Sequence, residues 1–337
     1  MELTPANDYQ QLVERISDSW TQSRVQAVRA VNAQLVEANW QVGRHIVDYE
    51  QGGQPRAEYG QALINNLAAD LGLRLGKGFS RSNLIRCRQF YLTYPKGAAA
   101  SHLLTWSHIV ELLKLDAPLE RGFYEKQAIT ERWSVRELVR QNESSLFLRL
   151  ASSKDKAGIL QLAAQGQLVE QPADLLREPY VFEFLKIPEP WQVSETQLET
   201  VLCDNLQPFL LELGKGFTFV GRQYRITLNN THYRVDLVFY HRILRCFVLI
   251  DLKLGDVQHQ DIGQMNLYLG YFANEENGEG DNPPIGIILS RDKDELLVEY
   301  ATYGMNSQLF VQKYQFYLPE SEALKRELER SLREVQP

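Results

Sequence analysis

Three charged residues lie inside two runs that otherwise read as buried β-strand. Asp236 sits within "YRVDLVFYH", and Asp251 and Lys253 sit near the end of "CFVLIDLKLG". Side chains alternate faces along a strand. Asp251 and Lys253 therefore point one way, and Leu252 points the other way into the core. The residues upstream, "CFVLI", are continuously apolar, as in a central strand covered on both faces. The polar pair marks the place where such a strand ends and a site can open. If the two strands form a hairpin through "FYHRILRC", Asp236 and Asp251 are neighbours across it. Two carboxylates at reduced dielectric repel at a cost on the order of several kcal/mol unless a proton or cation intervenes. A lysine compensates in part. A divalent cation compensates further, and oxygen-only ligation favours Mg2+ or Mn2+. A solvated strand end with one Asp–Lys ion pair is the plain alternative.

Three accompanying features favour a site over that alternative. Glu199, in the preceding helical run "SETQLETVLCDNL", can project toward the sheet, and Glu212, toward the end of the longer run "TQLETVLCDNLQPFLLELG", is a weaker acidic candidate. Gln264 and Tyr268, in the following helical run, stand one turn apart on the same face. The elements around the carboxylates run helix–strand–strand–strand–helix–strand.

The rest of the chain must position these residues. Its 337 residues predict two domains. From Tyr9 to about Leu150, apolar residues recur at spacings of three and four, which predicts an all-helical domain over residues 1–150. "GGQP" breaks the first helix, Ser80 or Ser82 caps "SRSNLIRCRQFYLTYP", and Pro95 stops it. "SVRELVRQNESSLFLRL" reads as one closing helix. Residues 151–195 show little regular period and read as an ordered connector anchored by Tyr180, Phe182, Phe184 and Trp191. Residues 196–337 read as helices on a mixed sheet. There "TQLETVLCDNLQPFLLELG" is one helix ended by Gly214, "FTFVGRQYRITLNN" a strand bent at Gly221, and "NNTHY" a turn. "PIGIILSRD" is a buried strand, "LLVEYATYG" another, and "SEALKRELERSLREV" an amphipathic C-terminal helix.

Composition excludes several function classes. Hydrophobic residues make up 44 % and the net charge is −7, which suits a soluble chain with a large core. The three cysteines, Cys87, Cys203 and Cys246, form no CxxC pair, so neither a zinc site nor a disulfide framework is indicated. The six histidines lack metal-ligand spacing, and no GxSxG is present. "MELTPANDYQ" is no secretory leader, and no apolar run approaches the roughly 20 residues of a membrane helix. A cytoplasmic location follows as the expectation. "LGKGF" occurs twice, at Leu75–Phe79 and Leu213–Phe217, and reads as a glycine-capped helix end used twice rather than as a P-loop.

The order and spacing of the carboxylates resemble a PD-(D/E)XK nuclease core. Asp236 stands for the first Asp, Asp251-Leu252-Lys253 for (D/E)-x-K, and Gln264 with Tyr268 for a QxxxY element. "FLLELGKGFTFVGRQYRI", "DLVFYHRILRCFVLIDLKLG" and "GQMNLYL" resemble the YhcG-type bacterial nuclease family. "FSRSNLIRCRQFY", "WSHIVELL" and "WSVRELVRQ" resemble that family's helical N-terminal domain. Val235 stands where the motif name has Pro, and Asp251 where relatives more often carry Glu. The resemblance implies an all-helical domain followed by a restriction-endonuclease-like α-β-β-β-α-β core, an α plus α/β chain. It implies that Asp236, Asp251 and the backbone carbonyl of Leu252 hold Mg2+, with Mn2+ as a substitute. Lys253 would orient a water or meet charge developing on phosphorus, Glu199 would complete the metal site, and Gln264 would orient Lys253 or the scissile phosphate. The implied products carry a 5′-phosphate and a 3′-hydroxyl, in defence against foreign DNA or in repair and recombination. The alternative is a DNA-binding or scaffolding subunit that keeps the nuclease fold with weak or no cleavage.

A nuclease core gives meaning to a basic stretch in the helical half. Between Gly72 and Ala100 lie Arg74, Lys77, Arg81, Arg86, Arg88 and Lys96, and no acidic residue. "SRSNLIRCRQF" can present Arg81, Asn83 and Arg86 to DNA, as helix-turn-helix modules do. Arg222, Gln223 and Tyr268 are further candidate contacts, with Arg225 beside them. DNA is the expected partner ahead of RNA, and the C-terminal helix from Glu320 offers a homodimer contact.

Overall fold

A computed structural model describes residues 5–51, 57–95, 103–152, 154–188 and 193–333. The "GGQP" break, Lys96 and Trp191 lie outside the described residues. The chain forms two compact units, Met1–Leu138 and Val139–Pro337.

The first unit is helical. It contains α1 (Pro5–Gln51), α2 (Ala57–Leu75), α3 (Arg81–Thr93), α4 (Trp106–Leu112) and α5 (Pro118–Glu131). The Ser80 hydroxyl caps α3 by accepting from the Asn83 N–H. Gly43 lets α1 and α3 approach closely, since a Cβ there would lie 2.0 Å from the Cys87 carbonyl oxygen. His108 forms a capping box with Thr105, and its Nε2 lies 2.9 Å from the Trp133 carbonyl oxygen. This histidine is a packing residue. The single helix expected over "SVRELVRQNESSLFLRL" is two, α6 (Val135–Glu143) and α7 (Leu146–Ala151). Ser145 breaks them apart with a left-handed φ of 54°.

The second unit is a sheet with helices on both faces. After α7 come α8 (Lys156–Gln165), β1 (Tyr180–Val181), α9 (Glu195–Asp204), α10 (Leu206–Leu213), β2 (Phe217–Leu228), β3 (Thr231–His241) and β4 (Cys246–Asp256). Then follow α11 (His259–Tyr271), β5 (Ile285–Asp292), α12 (Glu295–Thr302), β6 (Gln308–Gln315) and α13 (Ser321–Arg333). The strand order is β1-β6-β5-β4-β3-β2. Strands β2, β3 and β4 pair antiparallel, and β4, β5, β6 and β1 pair parallel. Asn229 and Asn230, at φ 45° and 65°, make the two-residue turn between β2 and β3. One core holds Leu198, Leu202, Phe209 and Leu213 against Leu237, Val248, Ile250 and Leu252. The other holds Ile262, Met265, Tyr268 and Leu269 against Val235, Leu249 and Ile288.

This is the expected mixed sheet with helices, with local corrections. The connector supplies a helix and an edge strand, because Tyr180 and Val181 find β6 as a parallel partner. The helix expected to end at Gly214 is interrupted at Asn205. "LLVEYATYG" is not a strand. Asp294 caps it as α12, and Leu297, Val298 and Ala301 pack on the second core at helical spacing. The last strand is instead "QLFVQKYQ". The C-terminal helix forms as expected, as α13, and lies against α7. Among the described residues no helix is long and apolar enough to cross a membrane.

Glu212, the further acidic candidate, is not near the sheet's carboxylates. It is fully buried at the end of α10 and accepts from Arg149 Nη1 at 2.6 Å, Val181 N at 3.0 Å and Arg140 Nη1 at 2.8 Å. Arg177 Nη1 lies 3.5 Å away. Burial alone would raise its pKa, but Arg149, Arg177 and Arg140 together hold it down to about 2. This clasp ties the end of α6, α7 and the β1 segment to α10. Its stabilisation is present above the unfolded value near 4.5 and is lost as pH falls toward 2. Glu212→Gln strands buried arginine charge, so at neutral pH it should lose roughly 3–5 kcal/mol. Urea unfolding of both proteins checks this: the deficit should shrink on acidification, and a deficit that stays constant with pH counts against the account.

Candidate active site

The site forms where a hairpin stops pairing. The β3–β4 ladder runs from His241↔Cys246 to Leu237↔Ile250. One step further along that register Asp236 faces Asp251. There the backbone exchange gives way, and the Leu252 N–H donates 2.9 Å to the Asp236 carboxylate. A residue's N–H and C=O project toward the same edge of a strand, so the Leu252 carbonyl also faces this opening. Asp251 is 5 % exposed. Burial first, and then the Asp236 charge, raise its pKa well above the carboxylate range, against the pull of Lys253. Lys253 Nζ lies 2.8 Å from Asp251 Oδ2, 3.6 Å from Asp261 Oδ1 and 3.9 Å from Glu195 Oε2. Burial would lower the lysine's pKa, but Asp251, then Glu195 and Asp261, hold it above its usual value. The ammonium therefore stays charged.

A second carboxylate system abuts the first through Gln223. Its amide nitrogen donates to Glu199 and, at 3.1 Å, to Asp236 Oδ1. Glu199 is 2 % exposed, and Arg222 Nε lies 3.9 Å from it. Burial raises the Glu199 pKa and Asp236 adds to the rise, while Gln223 and Arg222 oppose it. Gln223, expected as a phosphate contact, thus sits within the carboxylate cluster. It adopts a left-handed φ of 49°, at a cost on the order of 1 kcal/mol for a residue with a Cβ. Just before it, an irregularity at Phe219/Gly221 shifts the β2–β3 register. Bulges of this kind re-aim side chains beside sites.

The Gln264–Tyr268 pair forms, but it closes on itself. Gln264 Nε2 donates to the Tyr268 hydroxyl, which donates 2.9 Å to the Arg234 carbonyl oxygen. Tyr268 is buried, so its hydroxyl braces α11 on β3 rather than lying at the surface. Lys253 is oriented by carboxylates and not by Gln264. Two of these, Glu195 and Asp261, escaped the sequence reading. Glu195 Oε1 accepts from Leu254 N at 3.2 Å, and Asp261 Oδ2 caps α11 through Gln258 N at 2.8 Å. Their available signal was only that each is an acid in the first turn of a helix flanking the site.

In the helical unit, Arg74, Lys77 and Arg86 are exposed. The other candidates have internal partners. Arg81 Nε donates to Asn65 Oδ1 at 3.1 Å, and Arg88 Nε lies 2.7 Å from Glu50. The Asn83 amide donates to the Gly78 carbonyl at 2.8 Å and accepts from Trp106 Nε1 at 2.9 Å. Arg222 is half exposed, and Arg225 Nη2 lies 2.9 Å from His232 Nε2.

Among the described residues, no three or more His, Cys, Asp or Glu side chains form a metal cage. The oxygen set is Asp236, Asp251 and the Leu252 carbonyl. That set fits Mg2+, which typically takes one or two carboxylates, keeps several waters and completes its shell with substrate phosphates. The surplus negative charge, offset on one side by Lys253, is what a divalent cation would neutralise.

Comparison with known proteins agrees with this arrangement. Residues 173–332 match the YhcG PDDEXK nuclease domain, and residues 15–149 match the DUF1016 N-terminal domain. Over 355 residues the chain is 36 % identical to the Escherichia coli (strain K12) protein named "Putative nuclease YhcG", covering 96 % of this chain and 94 % of that one. A repair endonuclease from Pyrococcus abyssi, seen in a crystal structure, overlaps 39 % of this chain and 50 % of its own at 16 % identity, with a TM-score of 0.26, too partial to bear on function.

The buried acidic pair makes stability depend on pH in a definite direction. Asp251 has a folded pKa raised above its ordinary 3.8. Its contribution to stability is full below that value and is lost as pH rises through the raised one. Asp251→Asn removes this loss. At neutral pH without divalent cations the variant should be more stable by on the order of 1–2 kcal/mol, and by nothing below pH about 4. Thermal unfolding across that range checks it. A variant less stable than wild type at neutral pH would show that the pair is not repulsive.

Proposed function

The chain belongs to the YhcG family of PD-(D/E)XK nucleases, and on that premise we propose that it is a Mg2+-dependent nuclease hydrolysing phosphodiester bonds in DNA. One observation carries the reading: Asp236, Asp251 and Lys253 converge where the β3–β4 ladder opens. Asp236, Asp251 and the Leu252 carbonyl are the residues that would hold the cation, with Mn2+ as a substitute. When bound, such an ion polarises the phosphodiester and acidifies a water. Lys253 Nζ, kept protonated by three carboxylates, orients the attacking water and meets the charge growing on phosphorus. Glu199 and Gln223 hold Asp236 in its orientation. The Gln264–Tyr268–Arg234 chain of hydrogen bonds fixes α11 over the site.

The helical domain, residues 1–150, supplies DNA contact in this reading, with 151–195 as connector and 196–337 as nuclease domain. Arg74, Lys77 and Arg86 are exposed cations of the basic stretch and would touch phosphates. DNA is favoured over RNA, the site of action is the cytoplasm, and the biological setting is defence or repair.

Cleavage of labelled single-stranded, duplex and branched DNA in Mg2+ tests the reading. Asp236→Ala and Lys253→Ala should each cut at least about 100-fold more slowly than wild type while remaining folded. A wild-type protein that binds DNA yet cuts nothing in Mg2+ or Mn2+ would instead support a binding subunit that retains the fold. A parallel RNA substrate decides between the nucleic acids.

The triple substitution of Arg74, Lys77 and Arg86 by Ala should weaken binding to all sequences alike. It should also flatten the dependence of log K on log salt by roughly 2–3, nearly one per phosphate contact. An unchanged salt slope places the contact elsewhere.

A further inference from the structure

Helix α1 carries an apolar stripe with no partner among the described residues of the unit that contains it. Trp20 is 68 % and Ile16 61 % exposed, and the apolar side chains from Tyr9 to Leu35 on this stripe are exposed as well. Further along the helix Val36, Trp40 and Val47 are buried on the opposite side, and Ile46, on the stripe's own side at 100° per residue, is buried as well. The stripe is therefore set apart by its place along the helix: the side that packs into the core at Ile46 is left exposed from Tyr9 to Leu35. Its valines, isoleucine and aromatics are poorer helix formers than the Ala, Glu, Lys or Gln that a solvated helix favours.

The stripe is also symmetric. Tyr9 and Leu35, Val13 and Val31, Ile16 and Val28, and Trp20 and Arg24 are each equidistant from Gln22. A second helix laid antiparallel about a two-fold axis at Gln22 would set apolar against apolar in the outer three pairs of each half. At the centre it would place each Arg24 guanidinium over a Trp20 ring, a favourable cation–π contact. Charge follows the same order. Glu14 and Asp18 lie in the first half, with Arg15 the exception, and Arg24 and Arg29 lie in the second. Antiparallel alignment brings the acidic half of each helix alongside the basic half of the other, and the two helix dipoles oppose favourably. The matched stretch is about 40 Å long at 1.5 Å per residue, well beyond a marginal helix pair. Such a self-complementary patch is the signature of an isologous interface.

We propose that the first two-thirds of α1 is a self-association surface, on which a second copy of this chain docks antiparallel. The surface is independent of the nuclease site.

Sedimentation of the full chain at micromolar concentration tests this. Wild type should sediment at twice the chain mass. Ile16→Glu combined with Val28→Glu should sediment at the chain mass with an unchanged circular dichroism spectrum, since both positions are exposed. Orientation is read by cysteine pairing under mild oxidation. An equimolar mixture of Ile16→Cys and Val28→Cys chains should cross-link, and each variant alone should not, with the parent chain controlling for Cys87, Cys203 and Cys246. A monomeric wild type, a dimer that survives the double glutamate variant, or Ile16→Cys cross-linking to itself would each overturn the proposal.

Discussion

The repulsion between Asp236 and Asp251 is the constraint around which the second unit is arranged. Two carboxylates facing each other across a hairpin, one of them buried, oppose folding unless neighbours hold them. Strand β4 contributes the Leu252 N–H and Lys253 and β2 contributes Gln223, while Glu195 of α9 and Asp261 of α11 hold Lys253 in turn. The register irregularity in β2 and the left-handed backbone at Gln223 are local costs accepted at the same point. Their common effect is to aim an amide between Asp236 and Glu199.

A second buried carboxylate shows the contrast. Glu212 is surrounded by Arg140, Arg149 and Arg177, so positive charge is in surplus and its carboxylate is held ionised. That cluster needs nothing from outside and joins segments distant in sequence. Around Asp236, Asp251 and Glu199, negative charge is in surplus, and among the described residues Lys253 and the half-exposed Arg222 offset it. The same residue types thus make a structural clasp in one place and an unfinished site in the other. The sign of the local imbalance separates them.

The Asp236, Asp251 and Lys253 constellation was legible because strand periodicity and an apolar background make charges conspicuous. Glu199 was legible as an acid on a neighbouring helix. The bonding of Gln223 to Glu199 and Asp236 was not legible, because strict alternation along β2 fails once the register shifts and a residue turns left-handed. Glu195 and Asp261 were invisible, since an acid in a helix's first turn is ordinary capping chemistry in any sequence. In the helical unit, charge alone did not separate Arg88, paired with Glu50, from exposed Arg86.

By itself the sequence determined the helical first half, the hairpin that carries the carboxylates, the order of elements around it and the family. These follow from periodicity, caps and turns, which act within a few residues. Only tertiary structure decided that the connector adds an edge strand, that α12 is a helix, and that Glu212 belongs to an arginine clasp. It also decided that Lys253 is held by three acids. Each of these rests on partners far apart along the chain, and a contact between distant segments leaves no periodic trace in either of them.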